Sequence, residues 1–223
     1  MRACVIAAGA TACLLFFTVT TVIAQGGPHD RVEIAGGVRW MGPLDFGTVD
    51  AKETTFGNST RSLFSTTSQL DRSVGATATV SVRAIRALRV EGSFSYSPTG
   101  LTVRVTNDVE KVPDTQARAP VTQFLVEGGL LAPVGARGRL TPFVTGGLGY
   151  LRQLNDGRTL VETGRSFYAG GGLYYVRAAT HPRRVKATGA RVDVRAAFLR
   201  DGVAPDSRMR GAPAVTAAFF ARF

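Results

Sequence analysis

The chain has 223 residues, 27 Lys and Arg against 16 Asp and Glu, a net charge of +11, and a composition that is 44% hydrophobic. That length suits one domain once a targeting segment is set aside. Two cysteines (Cys4, Cys13) and two histidines (His29, His181) leave little for thiolate, disulfide or metal chemistry.

The first residues set the compartment. Met1-Arg2 carries one positive charge, Cys4 to Ile23 is apolar or small and uncharged, and Val22-Ile23-Ala24 precedes Gln25. This pattern reads as a secretory signal cut between Ala24 and Gln25, giving a signal peptide 1–24 and a mature domain 25–223. A membrane anchor is the rival, because the uncharged run approaches the roughly 20 residues that span a bilayer. Thr11, Thr18, Thr20 and Thr21 and the Val-x-Ala end favour cleavage. Both cysteines would then leave with the signal. Cys13 precedes the Leu14–Phe17 core, so no lipid anchor is expected. The remaining basic excess is gathered in no one helix or tail, which argues against nucleic acid as a partner. It collects at a predicted inner rim, at Arg86, Arg137, Arg139, Arg177, Arg183, Arg184 and Lys186, where it suits phospholipid head groups.

After the signal, apolar and polar residues alternate with period two, broken by Gly, Pro, Asn and Asp. The first predicted strand, Arg31 to Met41, sets Val32, Ile34, Val38 and Trp40 against Glu33, Ala35, Gly37 and Arg39. Gly42 to Arg72 is polar and reads as a loop. The second strand, Val74 to Ala84, sets Val74, Ala76, Ala78, Val80 and Val82 against Thr77, Thr79, Ser81 and Arg83; the third sets Leu88, Val90, Phe94 and Tyr96 against Arg89, Glu91, Ser93 and Ser95. A second long loop spans Ser97 to about Arg118. Within it Leu101–Val105 alternates in opposite phase, which suggests the third strand continuing past a bulge. The fourth strand, Val121 to Ala132, puts Phe124, Val126 and Leu130 outward and Gln123 and Glu127 inward. The others are Leu140 to Arg152, Ser166 to Val176, Ala190 to Leu199 and Ala214 to Phe223, making eight. In the seventh, Arg191, Asp193 and Arg195 share a face.

A Gly-Gly-aliphatic core recurs at Gly36-Gly37-Val38, Gly128-Gly129-Leu130, Gly146-Gly147-Leu148 and Gly171-Gly172-Leu173. A dinucleotide fingerprint needs a third Gly and a following helix. Glycine inside strands instead marks bends or close backbone approach, which a narrow eight-stranded barrel requires.

A soluble barrel would bury its apolar face. The aromatics favour the opposite arrangement: Trp40, Tyr96, Tyr150 and Phe167 fall on one rim, and Tyr175, Phe219 and Phe223 toward the other, as in two lipid-facing girdles. In lipid, a closed barrel satisfies a sheet's backbone groups. The first, third, fifth and seventh connections are long and polar, so both termini are expected in the periplasm. The sixth, Arg177 to Gly189, is longer than this alternation expects.

Strand number, alternation, the Gly-Gly strands and the terminal Phe223 resemble the eight-stranded outer-membrane β-barrel family of OmpA and OmpX over about residues 30–223. The resemblance implies an all-β, antiparallel, up-and-down barrel with long extracellular loops in the outer membrane of a Gram-negative bacterium. It also implies that Phe219 and Phe223 serve as an assembly signal for the barrel-insertion machinery. Ala221 departs from the bulkier residue usual there.

Glu33, Arg39, Arg83, Arg89, Glu91, Glu127, Arg191, Asp193 and Arg195 are the expected lumen charge network, tolerable in a buried setting only when paired. A plugged lumen, with a structural or surface-interaction role, is the expectation; a narrow pore for small solutes or ions is the alternative. A lipid A-modifying enzyme is disfavoured, since His29 and His181 both fall at the predicted inner rim. No catalytic or metal residues and no cofactor are expected. Outer-membrane lipids and an extracellular ligand of the long loops are expected partners, and the chain is expected to be monomeric. Phe46, Phe56, Leu63 and Phe64 in the first loop either bind a partner or pack over the barrel mouth.

Overall fold

A computed structural model describes residues 31–55, 59–85, 87–107, 109, 113–135, 138–155, 160–178, 185–204 and 208–223. The expected signal and its cleavage site at Ala24 and Gln25, together with His29, Phe56, Arg86, Arg137, His181, Arg183 and Arg184, lie outside them. The strands are β1 (Val32–Met41), β2 (Leu44–Thr55), β3 (Ser59–Leu70), β4 (Ser73–Ile85), β5 (Leu88–Thr106), β6 (Thr115–Pro133), β7 (Leu140–Asn155), β8 (Leu160–Ala178), β9 (Ala187–Asp201) and β10 (Arg210–Arg222). No helix among the described residues is long and apolar enough to cross a membrane.

Eight of the strands form a ring. Each of β4 to β9 pairs antiparallel with the next in sequence, and β1 joins β10 to β4. Phe223 N donates to Val32 O at 2.9 Å, and Arg31 N to Phe223 O at 3.1 Å, at the seam between the first and last strands. Period two then decides what each side chain meets. Ile34, Val38, Val80, Val90, Val126, Leu148, Val192 and Val194 point out of the ring and are exposed, whereas Glu33, Arg39, Glu91, Glu127, Arg191, Asp193 and Arg195 point in and are buried. This is an inside-out polarity for water, and the right one for lipid.

The remaining two strands correct the expected loop at 42–72. β2 and β3 form a hairpin in which Thr48 and Thr67 share a hydroxyl hydrogen bond at 2.9 Å and Ser65 donates to Asp50 at 2.7 Å. Thr, Ser and Asp satisfy each other across the ladder, so the pairing needs no apolar face. β3 continues onto the far end of β5 over Ser65–Leu70. The described residues thus form ten strands, eight of them in the barrel. The end bearing this hairpin is called upper.

The expected bulge in β5 is absent. Its register with β6 runs without a shift from Arg89↔Leu131 to Val105↔Thr115. Leu101, Val103 and Val105 simply keep the inward parity of Arg89 and Glu91, and Leu101 packs on an interior apolar cluster. Most of the expected second loop is therefore strand. Likewise β8 begins at Leu160, inside the long fifth connection expected between Arg152 and Ser166, and β8 and β9 shorten the sixth connection to 179–186.

The Gly-Gly repeats have a packing reason. Gly147 faces Tyr168 in register, Gly172 faces Phe143, and Gly189 faces Phe220. A Cβ on Gly147 would lie 2.8 Å from Tyr168 Oη, one on Gly172 2.7 Å from Phe143 Cζ, and one on Gly189 2.8 Å from Phe220 Cζ. Each inward ring lies across the bare backbone of its neighbour, because an eight-stranded lumen has no room for two side chains there.

Candidate functional site

The lumen is layered. At the upper end Met41, Leu44, Leu70, Val121, Leu125 and Leu151 form a buried apolar cluster with Ala197, Leu199, Ala212 and Ala214, and Phe46 packs against it. Toward the lower end a second cluster holds Ala35, Leu131, Phe143, Tyr174, Ala218 and Phe220. The charged residues lie between these layers and reach into the lower one.

The ion pairs form one connected chain. Arg39 Nη1 donates to Glu127 Oε2 at 2.6 Å, and Ser93 adds a hydroxyl at 3.4 Å. Arg195 reaches Glu127 at 3.4 Å, Glu91 at 3.2 Å and Asp193 at 2.6 Å. Arg191 pairs with Glu91 through Nη1, with Asp193 at 3.3 Å, and approaches Glu33 at 4.0 Å. Glu33 also accepts from Tyr174 at 2.9 Å and from Arg222 Nε at 2.7 Å, with Arg89 at 3.9 Å. Such charges are tolerable in a low-dielectric interior because every carboxylate accepts from more than one donor. The guanidinium planes also pack on rings: Arg195 on Tyr168 at 4.5 Å and Arg222 on Tyr174 at 4.9 Å, measured to the centroids.

The structure therefore brings Glu33, Arg39, Arg89, Glu91, Glu127, Arg191, Asp193 and Arg195 together. Arg83 faces inward at the lower end of β4, half-buried and opposite Arg89. Arg222, Tyr168 and Tyr174 also belong to this interior, although sequence reading did not place them there. Parity was the available signal, since Arg222 shares a face with Thr216 and Ala218.

On the outer wall, Trp40, Tyr150 and Phe167 sit on the upper halves of their strands, joined there by Phe198, while Tyr96 and Phe124 lie near the middle of the longer β5 and β6. The Tyr96 and Phe124 rings meet at a tilt, with centroids 5.4 Å apart. Toward the lower end Tyr175 and Phe219 both flank Ala190, and Arg139 donates to the Tyr175 hydroxyl at 3.4 Å. Phe219 is the most exposed large apolar residue described, at 79%. Phe223, half as exposed, lies below it. Of the four first-loop candidates, Phe46 packs over the barrel mouth beneath Arg210, 5.0 Å from its ring, and Leu63 and Phe64 are half-buried in β3. Positive charge is not confined to the lower rim, because Arg152, Arg165 and Arg200 are exposed near the upper one. Among the described residues no group of three or more His, Cys, Asp or Glu is placed to hold a metal.

No protein-family model matches this chain, and comparison with curated proteins finds no match. Solved structures do match. The outer membrane protein OprG of Pseudomonas aeruginosa is 14% identical with a TM-score of 0.52, over 89% of this chain and 98% of that one. Neisserial surface protein A is 8% identical with a TM-score of 0.49, over 86% of this chain and 95% of that one. Ail of Yersinia pestis is 11% identical with a TM-score of 0.41, over 86% of this chain and 99% of that one. At such identities the likeness speaks to fold, and the OprG match carries it. The chain has the fold of a small outer-membrane β-barrel, as the resemblance to the OmpA and OmpX barrels implied.

Proposed function

We propose that this chain is an integral barrel of the Gram-negative outer membrane, closed to solutes, with a structural or surface-interaction role. The observation that carries this reading is the lumen: a continuous ion-pair chain runs from beneath the upper apolar layer into the lower one, inside a wall whose outer face is aliphatic and aromatic. Buried pairs with multiple donors hold their partners in place, so they favour a plug over a conduit. Arg31 and Phe223 lie at the lower end, and the proposal puts that end in the periplasm, with the β2–β3 hairpin facing outward.

The partners follow from the same reading. The two aromatic tiers contact lipid at its interfaces, and Phe219 and Phe223 on the closing strand engage the insertion machinery. The hairpin, prolonged by the upper ends of β5 and β6, is the surface offered to an extracellular ligand. The chain acts as a monomer, without cofactor, nucleic acid or catalytic residues. Lipid A deacylase and acyltransferase assays on the folded protein are expected to give no turnover. In planar bilayers the refolded protein is expected to show no unitary current. Stable, reproducible openings would overturn the closed lumen in favour of a narrow pore.

A further inference from the structure

Three neighbouring strands repeat one two-tier order on the outer wall. β7 carries Tyr150 with Arg152 above it, β8 carries Phe167 with Arg165 above it, and β9 carries Phe198 with Arg200 above it. The register holds the tiers together: Phe167 lies opposite Phe198, and Arg165 lies opposite both Arg200 and Tyr150. Arg152 lies opposite Thr163, one outward step beyond Arg165. All three arginines are exposed.

This arrangement is costly unless something anionic shares it. Directly opposed side chains have Cβ atoms roughly 4.5–5.5 Å apart, and like charges so placed repel. No outward carboxylate relieves them among the described residues of β6–β10. Glu127 and Asp193 face the lumen, and Glu162 and Asp201 fall on the same inward parity. On the outward face, Arg118 near the top of β6 does have a carboxylate, Asp71 at 2.9 Å. The rings fix the depth of the tier. Interfacial aromatics sit at the boundary between acyl chains and head groups, and a side chain two residues further along a strand stands about 6.5–7 Å beyond it. That is the level of a head-group phosphate, which a guanidinium fork binds through two parallel hydrogen bonds.

We propose that Arg152, Arg165 and Arg200 form a binding site for the phosphate of a phosphorylated outer-leaflet lipid. The three rings beneath pack along that lipid's acyl chains. The site rests on the reading of the chain as a membrane barrel with the hairpin end outward. It adds a specific lipid partner, held on one side of the wall.

The test uses the full mature chain refolded in dodecyl maltoside, titrated with bisphosphorylated lipid A, with the same lipid stripped of phosphate, and with inorganic phosphate, and read by native mass spectrometry. The wild type is expected to retain bisphosphorylated lipid A and to bind the stripped lipid and inorganic phosphate far more weakly. R165Q/R200Q is expected to weaken retention by about tenfold or more, equivalent to about 1.4 kcal/mol. R165K/R200K keeps the charge but loses the fork, and is expected to fall between the two. R177Q, on the outer face near the lower end, is expected to behave as wild type. Equal retention by R165Q/R200Q and wild type would overturn the proposal, as would equal binding of stripped lipid or equally tight inorganic phosphate. A chain that stays monodisperse without detergent sinks the barrel reading itself before any lipid is added, so the two failures are distinct.

Discussion

Arg39 on β1 and Glu127 on β6 stand three strands apart around the barrel and 88 positions apart in sequence, yet Arg39 Nη1 reaches Glu127 Oε2 at 2.6 Å. β1 and β6 share no backbone pairing, so this contact crosses the lumen and ties the two halves of the ring. Both side chains are nearly inaccessible, at 7% and 1% exposure. Removing one partner leaves the other buried without its counter-charge. E127Q is therefore expected to lower unfolding stability by about 3–5 kcal/mol, while R39M/E127L recovers most of the loss because an apolar pair needs no desolvation. Urea unfolding of the chain in lipid vesicles measures both, and equal loss in the single and double variants would contradict the argument.

The layered lumen separates stability from permeability. E127Q disturbs the ions but leaves Leu70, Leu125 and Leu151 above them and Leu131, Phe143 and Phe220 below. This variant is expected to stay non-conducting in planar bilayers despite its lower stability. Currents are expected when L70S and L125S are added to it, since hydroxyls let water into the upper layer. A conducting E127Q single variant would show that the ion pairs alone form the barrier.

Glycines on the two faces of the barrel wall are expected to respond with opposite sign. G147A pushes a methyl group against Tyr168 Oη and the backbone of Gly129, and overpacking of this kind costs about 1–3 kcal/mol. A Cβ on Gly92 or Gly128, which point outward, meets nothing within 4 Å. G92A and G128A are expected to be neutral or to stabilise by about 0.4–1 kcal/mol, through the unfolded chain. Thermal unfolding of the three variants in one detergent checks the ordering.

The exterior was legible in the sequence because lipid demands an unbroken apolar parity, and Val32 to Trp40 or Val74 to Val82 shows it residue by residue. The interior was legible where it was charged. It was not legible where it was apolar: Phe143, Tyr168, Tyr174 and Phe220 look like wall residues until the register places each across a glycine or a guanidinium. The β2–β3 hairpin escaped notice for a related reason. Away from both lipid and core, Thr48, Asp50, Ser65 and Thr67 pair through hydroxyls and a carboxylate, and such pairing leaves no hydrophobic period to find. The upper arginine tier was visible residue by residue, but its coherence depends on cross-strand register, which the sequence does not state.

The hairpin itself divides into a base and an outer part that are expected to behave differently. Leu44 and Leu70, at the base, belong to the upper apolar layer and are nearly inaccessible. L70A is expected to cost about 2–5 kcal/mol, as a buried leucine truncation does when the cavity cannot collapse. The outer part is held through the Ser65–Leu70 pairing with β5, a hydrogen bond from Val109 N to Leu63 O at 3.0 Å, and its own ladder. Replacing residues 49–66 with an Asn-Gly turn joins the register partners Thr48 and Thr67, so Leu44, Phe46 and Leu70 stay in place and the connection suits a two-residue hairpin. That variant is expected to retain the strand content of the barrel and nearly all the unfolding stability while losing any host-cell or ligand binding that the intact chain shows. Circular dichroism, urea unfolding and a cell-binding assay on the same preparation test this. Binding that survives the deletion would move the interaction surface to the other upper connections, and a collapse of stability would make the outer hairpin part of the barrel's support.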